Sequence, residues 1–330
     1  MDTYTDLINS NESDSSTYRN MEVGDAALSI EDFFHDGMFT NRVFSVSHDD
    51  YDYSETFNQD GVLDKMQYGW FGPEHEINSN DLKIAVVGDV HGKLSLALSL
   101  LEEWENHSQH TLDYIIQVGD IGAFPTNKMD ATTKNMAKKH PEELGFRDFM
   151  FPSEVGDYFF GKEGVFKNTP FYFVSGNHEN HNFLKDNISH SVYENVIFLP
   201  DGEVVSLRKN NFATRIGGLG FEDEKTVSKT AARNLSKKDV DVFLTHMPPG
   251  DYSENSRIVR DLISTSHARF AFNGHNYQLG RNPVIGETQN YSLNEINIRG
   301  KRLVPNSLGL LTVGDSSQFS YLTPFWRGNN

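Results

Sequence analysis

Seven residues of chemically useful type stand directly after short apolar runs. They fall in the groups Gly88-Asp89-Val90-His91, Gly119-Asp120, Gly176-Asn177-His178-Glu179, Thr245-His246 and Gly274-His275. Among them the two carboxylates of Asp89 and Asp120, the amide oxygen of Asn177 and the three imidazoles of His91, His246 and His275 combine hard oxygen with borderline nitrogen, a donor set that suits Mn, Fe or Zn rather than Ca. There are enough donors for two ions, and paired divalent cations are the machinery of metal-assisted hydrolysis. Glycine before Asp89, Asp120, Asn177 and His275 lets the chain turn sharply at the point where a ligand is presented.

The elements that must position these groups are legible as apolar runs. Ile84-Ala85-Val86-Val87, Tyr114-Ile115-Ile116-Gln117-Val118, Phe171-Tyr172-Phe173-Val174, Val242-Phe243-Leu244 and Phe270-Ala271-Phe272 each precede one group. They are continuous rather than alternating, which predicts strands buried on both faces. In open α/β sheets, binding sites gather beyond the carboxyl ends of the strands, so the five groups are expected along one rim. Leu94, Leu98, Leu101 and Trp104 fall at helical intervals and predict a crossover helix over Leu94–Glu105.

The order and spacing of these groups resemble the calcineurin-like metallophosphoesterase superfamily over roughly Asp81 to Leu322. The superfamily pattern is Asp-x-His, Gly-Asp, Gly-Asn-His-Asp/Glu, a lone His and Gly-His-x-His. The resemblance implies an α/β sandwich of two mixed β-sheets flanked by helices. It also implies a hydrolase that attacks phosphate esters with a metal-bound hydroxide. Carried over residue by residue, Asp89 and His91 would hold the first of two divalent ions (Mn, Fe or Zn). Asp120 would bridge both, and Asn177, His246 and His275 would complete the second. His178 would serve as general acid or electrostatic stabiliser of the leaving oxygen, with Asp120 counted with it among the catalytic groups. Glu179 or Asp113 is expected to orient a ligand imidazole, as metal-bound histidines usually require.

One position departs from the pattern. Tyr277 stands in Gly274-His275-Asn276-Tyr277 where the superfamily places its second His. Tyr277 as a phenolate ligand, Asn276 or water in its place, and a weakened first site are three readings of this change, and the weakened first site is the one favoured. A fourth reading has Tyr277 only packing or touching substrate.

Other features have plainer readings. His181 is a loop histidine near a helix start, a position that is more often exposed than functional. Gly217-Gly218-Leu219-Gly220 lacks the Lys-Ser/Thr of a phosphate loop and reads as a tight turn near the site. Pro248-Pro249-Gly250 reads as a stiff loop carrying His246.

Between Asp120 and Asn177, residues 123–168 form an unusually long connection, read as a lid-like insertion overhanging the site. It carries Lys128, Lys134, Lys138 and Lys139, and Phe146, Phe149, Phe151, Tyr158, Phe159 and Phe160. The aromatics either stack a base or form a small core of their own. Asp157-Tyr158-Phe159-Phe160-Gly161-Lys162 and Arg215-Ile216-Gly217-Gly218-Leu219-Gly220 are similar to the corresponding regions of RNA lariat debranching enzymes. That branch often has Cys where this chain has His91.

The net charge is −18, yet residues 1–80 hold 17 Asp or Glu against three Lys or Arg, leaving the remainder at only −4. Two divalent cations nearly cancel that charge, so a phosphodiester is not repelled. A long nucleic-acid track, however, would need more clustered Lys and Arg. Residues 1–25 are acidic and polar, the composition of a disordered segment, and a protein partner for it fits that composition. Residues 26–80 regain aromatics and read as an extension packing on a catalytic domain at 81–325. With no Cys, disulfides and a thiolate nucleophile are excluded. No run reaches the roughly 20 apolar residues of a membrane span, and no secretory signal is seen, so a cytoplasmic protein without membrane contact is expected.

The leading expectation is a metal-dependent phosphodiesterase on a nucleotide or RNA-derived substrate. The alternatives are a catalytically weak metal-binding scaffold for protein contacts, and a metal-dependent enzyme of non-phosphate chemistry.

Overall fold

The computed structural model describes residues 68–73, 75–125, 129–186, 191–223, 225–275, 284–299 and 302–326. The expectations for residues 1–25, for the extension up to residue 67, for Lys128 and for Asn276 and Tyr277 lie outside the described residues.

Two mixed sheets are packed face to face and flanked by helices. In the first, β1 (Tyr68–Phe71), β15 (Gln318–Trp326), β14 (Leu308–Val313), β2 (Leu82–Val87), β3 (Tyr114–Gln117), β4 (Phe171–Phe173) and β5 (Val196–Phe198) lie in that order. Strands β2 to β5 are parallel, and β14 runs antiparallel between β2 and β15. The second sheet orders β10 (Val284–Ile285), β11 (Thr288–Ser292), β9 (Phe270–Asn273), β8 (Val242–Thr245), β7 (Phe212–Leu219) and β6 (Val204–Lys209). Its middle strands β7, β8, β9 and β11 are parallel. A two-stranded ribbon pairs β12 (Ile298–Arg299) with β13 (Arg302–Leu303).

The continuous apolar runs are explained by burial on both sides. Successive strand residues point to opposite faces. Leu82, Ile84 and Val86 of β2 therefore face the layer between the sheets, where they meet Ile216, Val242, Leu244, Phe270 and Phe272. Ala85 and Val87 face outward onto α1 (Leu94–Ser108), whose Leu94, Leu98, Leu101 and Trp104 are buried. The helix runs three residues beyond Glu105 and ends where Gln109 takes a left-handed conformation and donates its N–H to Glu105. On the far side of the second sheet, Phe243 and Ala271 pack against α6 (Lys229–Leu235) and α7 (Glu254–Ser264).

The insertion is folded on the core. It comprises α2 (Ala131–Lys139), a 3₁₀ turn (Pro141–Phe146), α3 (Arg147–Met150) and α4 (Glu154–Phe160). Phe146, Phe149, Phe159 and Phe160 are buried with Phe166, Phe171 and Phe173 in one aromatic cluster. These four rings are thus core and have no face left for a base. A short helix, α5 (His181–Asp186), follows β4.

The glycine run is not a turn. Gly217 and Gly218 lie inside β7, where a Cβ would come 3.0 Å from Leu235 and 2.7 Å from Leu199. Their small size lets neighbouring layers approach, a packing role within a strand. No helix among the described residues is long and apolar enough to cross a membrane.

Candidate metal centre

Strand register gathers the groups. Val87 is level with Gln117, Gln117 with Phe173, and Leu244 with Phe272, so the loops after β2, β3, β4, β8 and β9 begin along one rim. His91, Asp120 and His275 have φ of 43°, 53° and 62°. Left-handed backbone at a non-glycine residue costs roughly 1–3 kcal/mol and is retained where the surroundings impose it. Here the bonds of these loops impose it. His91 N and Val90 N both donate to Asp120 O, at 2.8 and 3.2 Å, and His275 N donates to Asp89 Oδ2 at 3.0 Å. Gly119 adopts φ 103°, and a Cβ there would come 2.6 Å from His246 Nδ1. A Cβ on Gly176 would collide with Asp120 Oδ1.

His246 is the best-defined member. It is fully buried, and its Nδ1 donates to Val118 O at 2.9 Å. That bond turns Nε2 toward Asn177 Oδ1 at 3.1 Å, His275 Nδ1 at 3.2 Å and Asp120 Oδ1 at 3.4 Å. A carbonyl holding one imidazole nitrogen so that the other presents a lone pair is the usual support of a metal-binding histidine. On the other side, donor atoms of Asp89, His91 and Asp120 lie within 4.8 Å of one another, with His91 Nε2 at 3.7 Å from Asp120 Oδ2. Asp89 is wholly buried, and its Oδ1 has no hydrogen-bond partner among the described residues. An orphaned anionic acceptor inside a cluster of oxygen and imidazole donors fits a cation.

The electrostatics agree. Burial lifts the Asp89 carboxyl to about 6, with the charges of His246 and His91 opposing. Burial disfavours the His246 imidazolium, but Asp120 and Asp89 outweigh it and hold that group up at about 9. His91 follows the same pattern, burial being overcome by Glu143, Asp120 and Asp89 to reach about 9. Burial and the neighbouring His246 push His275 down to about 4. Without metal, protons on His91 and His246 supply the positive charge that the buried carboxylates require.

The structure brings Asp89, His91, Asp120, Asn177, His178, His246 and His275 to one place. It does not bring Asp113, whose Oδ2 accepts from Lys83 N and Lys209 Nζ at 2.8 and 3.0 Å. Asp113 precedes β3, whereas the site lies beyond the strand's other end. Glu179 orients no imidazole. Its buried carboxylate accepts from Ile121 N at 2.7 Å and Ala123 N at 2.6 Å and so holds the loop after Asp120. His181 begins α5 and is half-buried rather than exposed.

The carboxylate that does meet the imidazoles is Glu143, which the sequence motifs do not mark. It lies in the 3₁₀ turn of the insertion, and both its oxygens are 2.9 Å from His178 Nδ1. Its Oε1 is 3.5 Å from His91 Nδ1. Burial opposes its ionisation, yet His178 and His91 hold the carboxyl down at about 2. The hydrogen bond to Glu143 in turn raises the His178 pKa. The signal available in sequence was an acidic pair, Glu142-Glu143, closing a lysine-rich stretch, and nothing in its spacing connects it to the strand ends.

A family profile described as calcineurin-like phosphoesterase matches residues 82–278. The chain belongs to that family. It is accordingly a hydrolase of phosphate esters, in a family that typically binds divalent metals. No curated protein sequence matches the chain. Among solved structures, one chain is 16% identical, covering 73% of this chain and 99% of its own length at a TM-score of 0.45. Another, described as a novel phosphatase from Mycoplasma pneumoniae, is 12% identical, covering 74% of this chain and 95% of its own at a TM-score of 0.40.

Proposed function

We propose that this phosphoesterase is a phosphodiesterase with a binuclear metal centre, acting on a nucleotide or nucleic-acid-derived substrate. Asp89 and His91 would hold one ion, Asn177, His246 and His275 the other, and Asp120 would contribute to both. The observation that carries the reading is the convergence of Asp120 Oδ1, Asn177 Oδ1 and His275 Nδ1 on the lone-pair nitrogen of His246. Mn, Fe or Zn matches these donors. With Tyr277 in place of a histidine, the first site is the weaker of the two.

When bound, the ions supply Lewis acidity toward phosphate oxygens and lower the pKa of water. The remaining work falls to side chains. Glu143 accepts a hydrogen bond from Nδ1–H of His178 and favours its imidazolium form, in which Nε2–H can give a proton or hydrogen bond to the leaving oxygen. The His178 side chain is 35% exposed against 7% for Glu143, so the acid reaches substrate while its partner stays protected from water. Glu143 also faces Nδ1 of His91, which directs His91 Nε2 toward Asp120.

The acidic segment 1–25 is assigned to contact with a protein partner, on composition alone. Hydrolysis of bis-p-nitrophenyl phosphate and p-nitrophenyl phosphate with added Mn tests the diester reading. Preference for the diester supports it, and turnover of the monoester alone rejects it.

A further inference from the structure

The 3₁₀ turn of the insertion is pressed onto the loops that carry the candidate centre. Gly92, next to His91, has φ 79°, and a Cβ there would collide with Glu142 O. A Cβ on Gly122, at φ 82°, would collide with Glu143 O, and one on Gly145 with Gly92 O. Three glycines thus remove the side chains that would keep the turn away. Backbone contact, as well as its own hydrogen bonds, therefore places Glu143 against His91 and His178.

The Glu143 carboxylate has imidazole nitrogens on two sides. Both oxygens lie 2.9 Å from His178 Nδ1, and Oε1 lies 3.5 Å from His91 Nδ1. One donor atom from each of the three residues falls within 4.8 Å of the others, and the two imidazole rings stand edge to face with centroids 4.8 Å apart. This is a second set of donors, which shares only His91 with the group of Asp89, His91 and Asp120. Two imidazoles and one carboxylate, with a fourth position open, are the donors of a tetrahedral zinc site. The opening lies on the His178 side, where the side chain is 35% exposed against 14% for His91 and 7% for Glu143. Nitrogen-rich sites favour Zn over Mn, whereas Asp89, Asp120 and Asn177 give the Asp120 centre the oxygen that suits Mn.

We propose that His91, Glu143 and His178 form a separate zinc site, and that zinc held there is inhibitory. A neutral imidazole has one lone-pair nitrogen, so His91 serves either this ion through Nδ1 or the first ion of the Asp120 centre through Nε2. Zinc on Nδ1 of His178 also removes the imidazolium form, whose Nε2–H is the stronger acid. The zinc site itself needs no assumption about the reaction, and the inhibition rests on the role given to His178 above.

Two measurements on the full-length protein test this. The first is titration with Zn against a competing chromophoric chelator in Asp89→Asn, in which the first site of the Asp120 centre is crippled and His91 released. The same chain is compared with Glu143→Gln or His178→Asn added. A zinc equivalent that either added substitution weakens at least about tenfold is expected. Zinc binding indifferent to both overturns the site. If Asp89→Asn fails to fold, anomalous diffraction at the zinc edge from zinc-soaked wild-type crystals decides the same point. Density among His91, Glu143 and His178 is expected there, and zinc confined to the Asp120 centre overturns the site. The second measurement is Mn-dependent hydrolysis of an alkyl phosphodiester by the wild type with added Zn. Turnover should fall at least about tenfold over the concentrations that fill the Glu143 site, and unchanged turnover removes the inhibition. If Mn alone gives no turnover, the phosphodiesterase reading fails, and the titration still decides the zinc site.

Discussion

Glu143 grips His178 through Nδ1, with both carboxylate oxygens at 2.9 Å. The pair joins the insertion to the loop after β4, so a residue 35 positions upstream in the chain holds the proposed acid in its protonated form. Glu143→Gln leaves the shape nearly unchanged and removes the anionic acceptor. It is expected to lower kcat about 100-fold for an ester with a poor leaving group, such as an alkyl alcohol. The loss should be much smaller for p-nitrophenolate, which departs without a proton. Equal losses on both substrates would assign Glu143 to structure alone.

Removing the His246 side chain takes away the nitrogen on which Asn177, Asp120 and His275 converge. His246→Ala should lose at least one metal equivalent per chain on elemental analysis. It also leaves Asp89 and Asp120 buried with fewer partners, a kind of change that costs roughly 3–5 kcal/mol. A marked drop in melting temperature of the metal-free protein is therefore expected.

Gly176→Ala tests the close approach of the β4 and β3 loops. The added methyl meets Asp120 Oδ1 and the Asp120 backbone N. With no room to shift against backbone, Asp120 is displaced, and Mn-dependent turnover should fall by at least about tenfold while the circular dichroism spectrum is retained.

The metal-free protein should lose stability as pH rises. His246 and His91 are held at about 9 in the folded chain against the ordinary 6.5. A raised folded pKa gives stabilisation that is fully present below about 6.5 and lost as pH climbs through about 9. Glu179, lifted by burial to about 8, acts in the same direction. Thermal melts of chelator-treated protein between pH 6 and pH 9 should fall with pH, and added Mn should reduce the slope because metal displaces those protons. A flat profile without metal would remove the role given to the imidazolium charges.

We also propose an autoinhibitory role for residues 1–25, whose acidic composition suits competition with an anionic substrate for a cationic site. Deleting residues 1–25 is accordingly expected to raise turnover at low substrate concentration, and unchanged kinetics would remove this autoinhibitory reading.

The strand ends were legible because burial on both sides demands uninterrupted apolar runs, and four of the five runs here stop at a glycine-led polar group, the fifth at Thr245-His246. That logic located Asp89, Asp120, Asn177, His246 and His275 without any knowledge of pairing. It failed where the determining contact is remote in sequence. Glu143 has no local signature, since a carboxylate in a 3₁₀ turn reads as a solvated charge until tertiary packing brings it to His178 and His91. Gly217 and Gly218 resemble turn residues because local sequence does not reveal that Leu235, Val240 and Leu199 crowd the strand. Glu179 and Asp113 were equivalent as sequence, and only the strand direction separates them: one follows a strand into the site, and the other precedes a strand at the opposite end.

Asp120 is the residue proposed to serve both ions. Metal content of the purified protein by elemental analysis, paired with Mn-dependent cleavage of bis-p-nitrophenyl phosphate and with Asp120→Ala as control, tests it most directly. Two ions per chain are expected in Mn-saturated wild type, the second held more weakly, with metal and turnover both lost in the variant. Full metal content and undiminished cleavage in Asp120→Ala would contradict it.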